Sequence, residues 1–173
     1  YLMRGKADQS MKAIKRMHGE RKALVKVLQK HAPQMLASMQ PEHEDHLRAG
    51  LLYAAAGKPK VAAKAFAKCE KLAPGHLAAA QAAVNAVPTK AHLNRFLGAI
   101  AAAGDVIQAN GVFELQPVHS PPVALEEVVA ALNTCAQTLP AQASQCMEEM
   151  QRLQAQQAAI LAGEQAEIGR AHV

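Results

Sequence analysis

The stretch from His46 to Pro74, HLRAGLLYAAAGKPKVAAKAFAKCEKLAP, limits the fold more than any other part of this chain. Gly50, Tyr53, Gly57, Ala62, Phe66, Cys69 and Pro74 fall at spacings that predict two short antiparallel helices. Gly50 permits close approach of the two helices, and Tyr53 and Phe66 fill the space beside it. Gly57 ends the first helix, and Pro74 ends the unit soon after the second. Half of the residues are apolar, but alanine supplies much of that half, and aromatics make up only 3%. Alanine favours helix and close packing yet buries little area. Stacked helices that share faces are therefore expected over one compact core. Few β-branched runs and no period-two stretch predict the absence of sheet.

These positions resemble one tetratricopeptide repeat, spanning about 43–76. The resemblance implies an all-α fold of antiparallel helix pairs stacked as a right-handed solenoid. It also implies protein binding without catalysis, in a concave groove lined by the first helix of each pair. Repeat-packing residues are then Gly50, Tyr53, Gly57, Ala62, Phe66 and Pro74. Groove-facing residues are Glu44, Leu47, Arg48 and Leu51. One version of the family clamps the terminal carboxylate of heat-shock chaperones with Lys and Asn side chains. Leu47 and Leu51 stand at those positions here, and Glu44 opposes a carboxylate, so the clamp does not carry over. An amphipathic helix or apolar peptide is the expected partner. A shift of 47 residues carries Gly57 to Gly104, Ala62 to Ala109, Phe66 to Phe113 and Pro74 to Pro121. A degenerate second unit is expected at about 90–123, interrupted by Asn110-Gly111.

Charge is distributed unevenly. Residues 1–30 carry nine Lys or Arg against Asp8 and Glu20, and the remainder is net −2. A helix from Ser10 to Lys30, capped by Asp8 or Ser10, is predicted. Its apolar stripe is Met11, Ile14, Met17, Leu24, Val27 and Leu28, with Lys12, Lys15, Arg16, Lys22, Lys26 and Lys30 largely off it. That basic patch has an alternative reading as a surface for RNA, an anionic membrane surface or an acidic protein. Aromatic side chains for base stacking are lacking there apart from Tyr1.

Further helices are expected over Gln34–Met39, Glu42–Ala56, Lys60–Leu72, His76–Val87 and Lys90–Ala103. The stripe assigned to Lys90–Ala103 is Ala91, Phe96, Leu97, Ile100 and Ala103, with Leu93 left out. Ser120 is the expected cap of a helix that begins at Pro121 or Pro122 and buries Leu125, Val128, Val129, Leu132 and Leu139. A last helix, about Ala141–Ala162, has Cys146, Met150, Leu153, Gln157 and Ile160 at coiled-coil spacing. The expected organisation is a basic segment at 1–40, repeats at 41–123 and a helical hairpin at 124–166.

His43 and His46 share a helix face beside Glu42, Glu44 and Asp45, but without the HExxH pattern or a second ligand cluster. A structural role is expected for them, with no metal and no cofactor. The eight histidines and three cysteines form no motif of nucleophilic catalysis, so no enzyme site is expected. Cys69, Cys135 and Cys146 are odd in number and lack a CxxC pair, which predicts reduced thiols in a cytoplasmic compartment. No apolar run reaches the length of a membrane span.

Residues 167–173, EIGRAHV, equal the translation of a common short-read sequencing adapter. They are expected to lie outside the native chain, which would then be an internal fragment. Resequencing the transcript tests this: native codons through Glu167–Val173 overturn it.

Overall fold

The computed structural model describes residues 4–36, 39 and 41–171, with side chains described at residue 9 and from 11 onward. Two compact units divide the chain, Tyr1–Leu72 and Ala73–Val173. The division falls inside the segment 41–123 that the repeat resemblance groups together.

The first unit contains α1 (Arg4–His31), α2 (Pro33–Leu36), α3 (Glu42–Ala55) and α4 (Pro59–Leu72). Helices α3 and α4 fold back on each other as a hairpin. Pro41 precedes α3, whose first turn carries Glu42, Glu44 and Asp45 at the positive end of its dipole. At its other end Lys58 N–H donates to the Tyr53 carbonyl at 2.9 Å and Gly57 N–H to the Ala54 carbonyl at 3.1 Å. That double closure is a Schellman motif, and it requires the left-handed backbone that Gly57 adopts, at φ 75°. Pro59 opens α4, where its missing N–H costs nothing.

Gly50 sets the spacing of the hairpin. A Cβ placed on it would lie 2.6 Å from Phe66 Cδ1 and 2.9 Å from Phe66 Cζ, well inside contact distance. Phe66, Ala62 and Cys69 are fully buried, and Tyr53 and Ala49 nearly so. Burial of Phe66 contributes roughly 1.5–3 kcal/mol. The remaining buried positions of the hairpin, Ala63 and Ala65, supply close contact instead of area.

Helix α1 differs from its expectation. It begins six residues before Ser10, and the caps assigned to Asp8 and Ser10 rest on side chains outside the described ones. Its expected stripe matches the inward face at Met11, Ile14 and Leu28 but not at Met17, Leu24 and Val27, which are 36%, 47% and 55% exposed. The less exposed positions are Met11, Ile14, His18, Arg21, Val25 and Leu28, at alternating spacings of three and four. Only Ile14 among them is buried. Helix α2 starts at Pro33 and ends at Leu36, and Ala37 and Ser38 of the expected Gln34–Met39 helix lie outside the described residues.

The second unit contains α5 (Leu77–Ala86), α6 (Lys90–Ala103), β1 (Ile107–Ala109), β2 (Val112–Leu115), β3 (Val123–Ala124), α7 (Leu125–Thr138), a 3-10 turn (Pro140–Gln142) and α8 (Ala143–Ala171). His76 caps α5, its Nδ1 accepting from Ala79 N–H at 3.1 Å, and Thr89 Oγ1 accepts from His92 N–H at 3.2 Å to cap α6. Leu77, Val84, Leu93, Phe96, Ile100, Leu115, Val128, Leu132, Cys135, Cys146 and Leu153 form one core. Leu93, left out of the expected stripe, is fully buried in it.

The fold is therefore mostly helical but not all-α. Strands β1, β2 and β3 form an antiparallel sheet in that order, with Ala109 opposite Val112 and Leu115 opposite Val123. The second helix expected for a degenerate repeat at 90–123 is this hairpin instead, and the counterparts of Ala62 and Phe66, Ala109 and Phe113, are strand residues. Asn110-Gly111 explains the difference. Both residues take positive φ, 51° and 79°, the geometry of a two-residue type I′ turn. Gly98 on α6, unlike Gly50, has nothing within 4 Å of an added Cβ.

Ser120 does not cap α7. Its Oγ accepts from Ala78 N–H at 3.1 Å, and Pro121 and Pro122 precede β3 instead of opening a helix. Helix α7 buries Leu125, Val128 and Leu132 and packs on α8, which contributes Cys146 and Leu153. From Leu161 to Ala171 every residue of α8 is exposed.

The two glycines predict opposite outcomes. Gly50→Ala drives a methyl group into Phe66 and is expected to cost roughly 1–3 kcal/mol. Gly98→Ala, in open space within α6, is expected to be neutral or to stabilise by up to about 1 kcal/mol. Urea denaturation midpoints of the two variants check both signs.

Candidate functional site

The inward seam of α1 is apolar at both ends and polar in its centre, where His18 and Arg21 stand at positions that a helix seam ordinarily gives to aliphatic side chains. Arg21 Nη1 donates to Asp45 Oδ2 at 2.8 Å, joining α1 to α3. Asp45 is 6% exposed, and its other oxygen accepts from Arg48 Nη1 at 3.3 Å. Arg48 Nη2 reaches Glu44 Oε2, also at 3.3 Å. A carboxylate so placed is costly to bury alone and is compensated by two guanidinium donors.

Beside this pair lies a cleft of about 580 Å3. His18, Arg21, Lys22, Val25 and Lys26 of α1 line it, with Glu42 and His46 of α3 and Lys68 of α4. The rings of His18 and His46 meet with centroids 4.8 Å apart, tilted by 52°. His18 Nε2 is buried and has no hydrogen-bond partner among the described residues. His46 Nε2 lies 3.7 Å from Glu42 Oε1. Burial pushes the His46 pKa below its ordinary value, helped by the neighbouring His18 and Lys68, while Glu42 pulls the other way. Near neutral pH His46 is thus held uncharged among cations.

Of the basic residues singled out in the sequence, Lys22 and Lys26 line the cleft. Lys12, Lys15, Arg16 and Lys30 are exposed away from it, and Arg16 pairs with Glu20 at 3.2 Å. Lys68, from a different helix, joins the two lysines and escaped the sequence reading altogether. His18 and Arg21 were missed too, although the three-four spacing of Met11, Ile14, His18, Arg21, Val25 and Leu28 carries them.

The four groove positions sit together on α3. Leu51 is 52% exposed and the neighbouring Leu52 44%, while Leu47 is half-buried. Glu44 and Arg48 are tied to each other beside them. The six repeat-packing positions divide between the units. Gly50, Tyr53, Gly57, Ala62 and Phe66 belong to the α3–α4 hairpin, and Pro74 lies in the turn before α5.

The His46 ring turns to His18 and Glu42. Among the described residues no group of three His, Cys, Asp or Glu side chains is placed to hold a metal ion. No described helix is long and apolar enough to cross a membrane. The second unit has a cavity of about 500 Å3 lined by Phe113, Leu125, Val129, Gln154 and Gln157, with Glu126 as its one titratable side chain.

No protein-family model, curated protein or solved structure matches this chain.

The three cysteines are free and buried. Burial, with the Glu70 and Glu44 carboxylates adding to it, pushes the Cys69 thiol up to about 12. Burial and the nearby Cys146 push Cys135 up to about 11, and burial raises Cys146 as well. A thiolate is the reactive form, so none of the three is a nucleophile near neutral pH. A disulfide reagent at pH 8 is expected to label no cysteine in the native protein and all three after denaturation. Because the folded state holds these protons more tightly than the unfolded chain, stability should be full below pH 9 and fall as pH rises toward 11 and 12. Urea midpoints across that range check the sign.

Proposed function

We propose that this chain is a protein-interaction scaffold, a helical subunit of a larger assembly without catalysis of its own. It uses the α3–α4 hairpin in the manner of a tetratricopeptide repeat. The observation that carries this reading is the outer face of α3. Leu51 and Leu52 are about half exposed although the same helix has a sealed inner face at Ala49, Gly50 and Tyr53. Water-facing leucines on a helix that has already satisfied its core contacts are surplus to folding.

The face is bordered by charge. Glu44 and Arg48 form an ion pair on the turn that carries Leu47, and Asp45 anchors Arg48 from the inner side. An apolar strip with a charged edge fits an amphipathic helix, whose leucine-like anchors would rest on Leu47 and Leu51 and whose polar flank would meet the rim. Leu24 and Val27 on α1 are likewise exposed and extend the apolar area that the first unit offers.

A second reading is favoured by a separate observation. Lys22, Lys26 and Lys68 converge on one cleft, and no ion pair among the described residues engages them. This supports an anion-binding role for the basic N-terminal segment, with RNA or an acidic protein among its partners. Binding of structured RNA through that segment would weaken steeply with salt, since each neutralised phosphate releases counterions.

Leu47→Asp with Leu51→Asp is expected to abolish capture of the partner in pull-downs from the source cells, with helical circular dichroism unchanged. Undiminished capture by a folded double variant overturns the groove.

A further inference from the structure

We propose that the cleft between α1, α3 and α4 is a binding site for the phosphate group of a small phosphate monoester. Lys22, Lys26 and Lys68 draw in the dianion, and the unpartnered Nε2 of His18 meets it as a hydrogen-bond donor. The inference rests on the anion-binding reading of the basic segment and sharpens it to one site and one chemistry.

The geometry supports this in four steps. First, the lining has four permanent cations, Arg21, Lys22, Lys26 and Lys68, against a single carboxylate, Glu42. Arg21 spends a short hydrogen bond on Asp45, which fixes the wall, while the three lysines remain without ion pairs among the described residues. Lysine clusters drawn from two helices, with a single carboxylate beside them, repel one another and are relieved by a multivalent anion.

Second, His18 lines the same cleft, and its Nε2 is buried without a hydrogen-bond partner among the described residues. A buried polar atom left unpaired costs roughly 1–3 kcal/mol, and a ligand acceptor removes that cost. An imidazole N–H at that position can donate to an anionic oxygen.

Third, the cleft excludes the competing ligand types. A divalent metal is repelled by the three ammonium groups, and among the described residues no three His, Cys, Asp or Glu side chains are placed to hold one. A nucleobase needs an apolar or aromatic platform, but Val25 is the only aliphatic lining residue and there is no Phe, Tyr or Trp. The volume, about 580 Å3, lies in the range of small-molecule sites, roughly 300–1,000 Å3.

Fourth, the charge suits a phosphate monoester better than a simple carboxylate. Such a group carries about −1.5 to −2 at neutral pH, with three acceptor oxygens. Three lysines and one imidazole supply donors for all three oxygens.

The titratable and charged groups that face His18 and His46 are Arg21, Lys22 and Lys26 on α1, Glu42 and Asp45 on α3, and Lys68 on α4. A dianion placed among them favours the protonated imidazoles, so binding should take up protons as pH falls through the histidine range.

The experiment is an NMR pH titration of the imidazole C–H signals of His18 and His46 in the whole chain. It is run in inorganic phosphate and in glycerol phosphate, with sodium chloride at matched ionic strength as the reference. The expected result is an upward shift of at least one of the two pKa values by roughly one unit in either phosphate. His119, remote in sequence and exposed, should not move. In Lys26→Gln combined with Lys68→Gln, both on exposed positions that leave folding intact, phosphate affinity should fall about tenfold or more and the shift should vanish. No difference between phosphate and chloride overturns the site. Binding of a phosphoserine peptide more than about tenfold tighter than glycerol phosphate overturns the small-molecule assignment. Salt-sensitive RNA binding that survives in the double variant, with imidazole signals unmoved by phosphate, overturns the cleft and leaves the broader basic segment standing.

Discussion

The first unit depends on the contact between Gly50 and Phe66. With no Cβ on Gly50, the Phe66 ring lies against the α3 backbone, and Ala49, Ala62 and Ala65 close the remaining space. The faces of α3 and α4 are placed by this spacing. It brings Lys68 of α4 to the same cleft as Glu42 and His46 of α3. It also fixes which face of α3 is left over, and that face carries Leu51 and Leu52.

The arrangement of α1 follows a different logic. A helix whose seam holds His18 and Arg21 cannot be held by apolar burial alone, and only Ile14 of that seam is buried. The Arg21–Asp45 pair supplies direction in place of area. Pairs of this kind add little net stability but are costly to break, so they specify an orientation more than they strengthen it. One consequence is that the leucine and valine on the other side of α1 remain exposed.

Much of the helical pattern was legible in the sequence because its signals are local. Gly57, Thr89 and the acidic first turn of α3 mark helix ends through backbone chemistry that three or four residues determine. Lys90–Ala103 matches the observed α6 at both ends. The sheet was missed because alanine-rich similarity over 47 residues outweighed Asn110-Gly111, although that dipeptide demands two positive φ angles and is a stronger local signal than any methyl pattern. The cleft was half legible. Lys22 and Lys26 stand out as charge, but Lys68 joins them only through the hairpin, and His18 was hidden by reading the seam from hydropathy alone. That Leu47 and Leu51 share a helix face with Glu44 and Arg48 follows from simple spacing on α3.

The alanine-lined interior of the α3–α4 hairpin has a further consequence. A methyl side chain has no rotamers to lose, so ordering this interface costs backbone entropy and little else. Its shape is set by volume, and any larger residue facing inward is penalised while outward positions carry no such restriction. The frame and the outer face are therefore separable in mutational terms. Such a hairpin is free to change its outer leucines and lysines with the spacing of its helices preserved throughout.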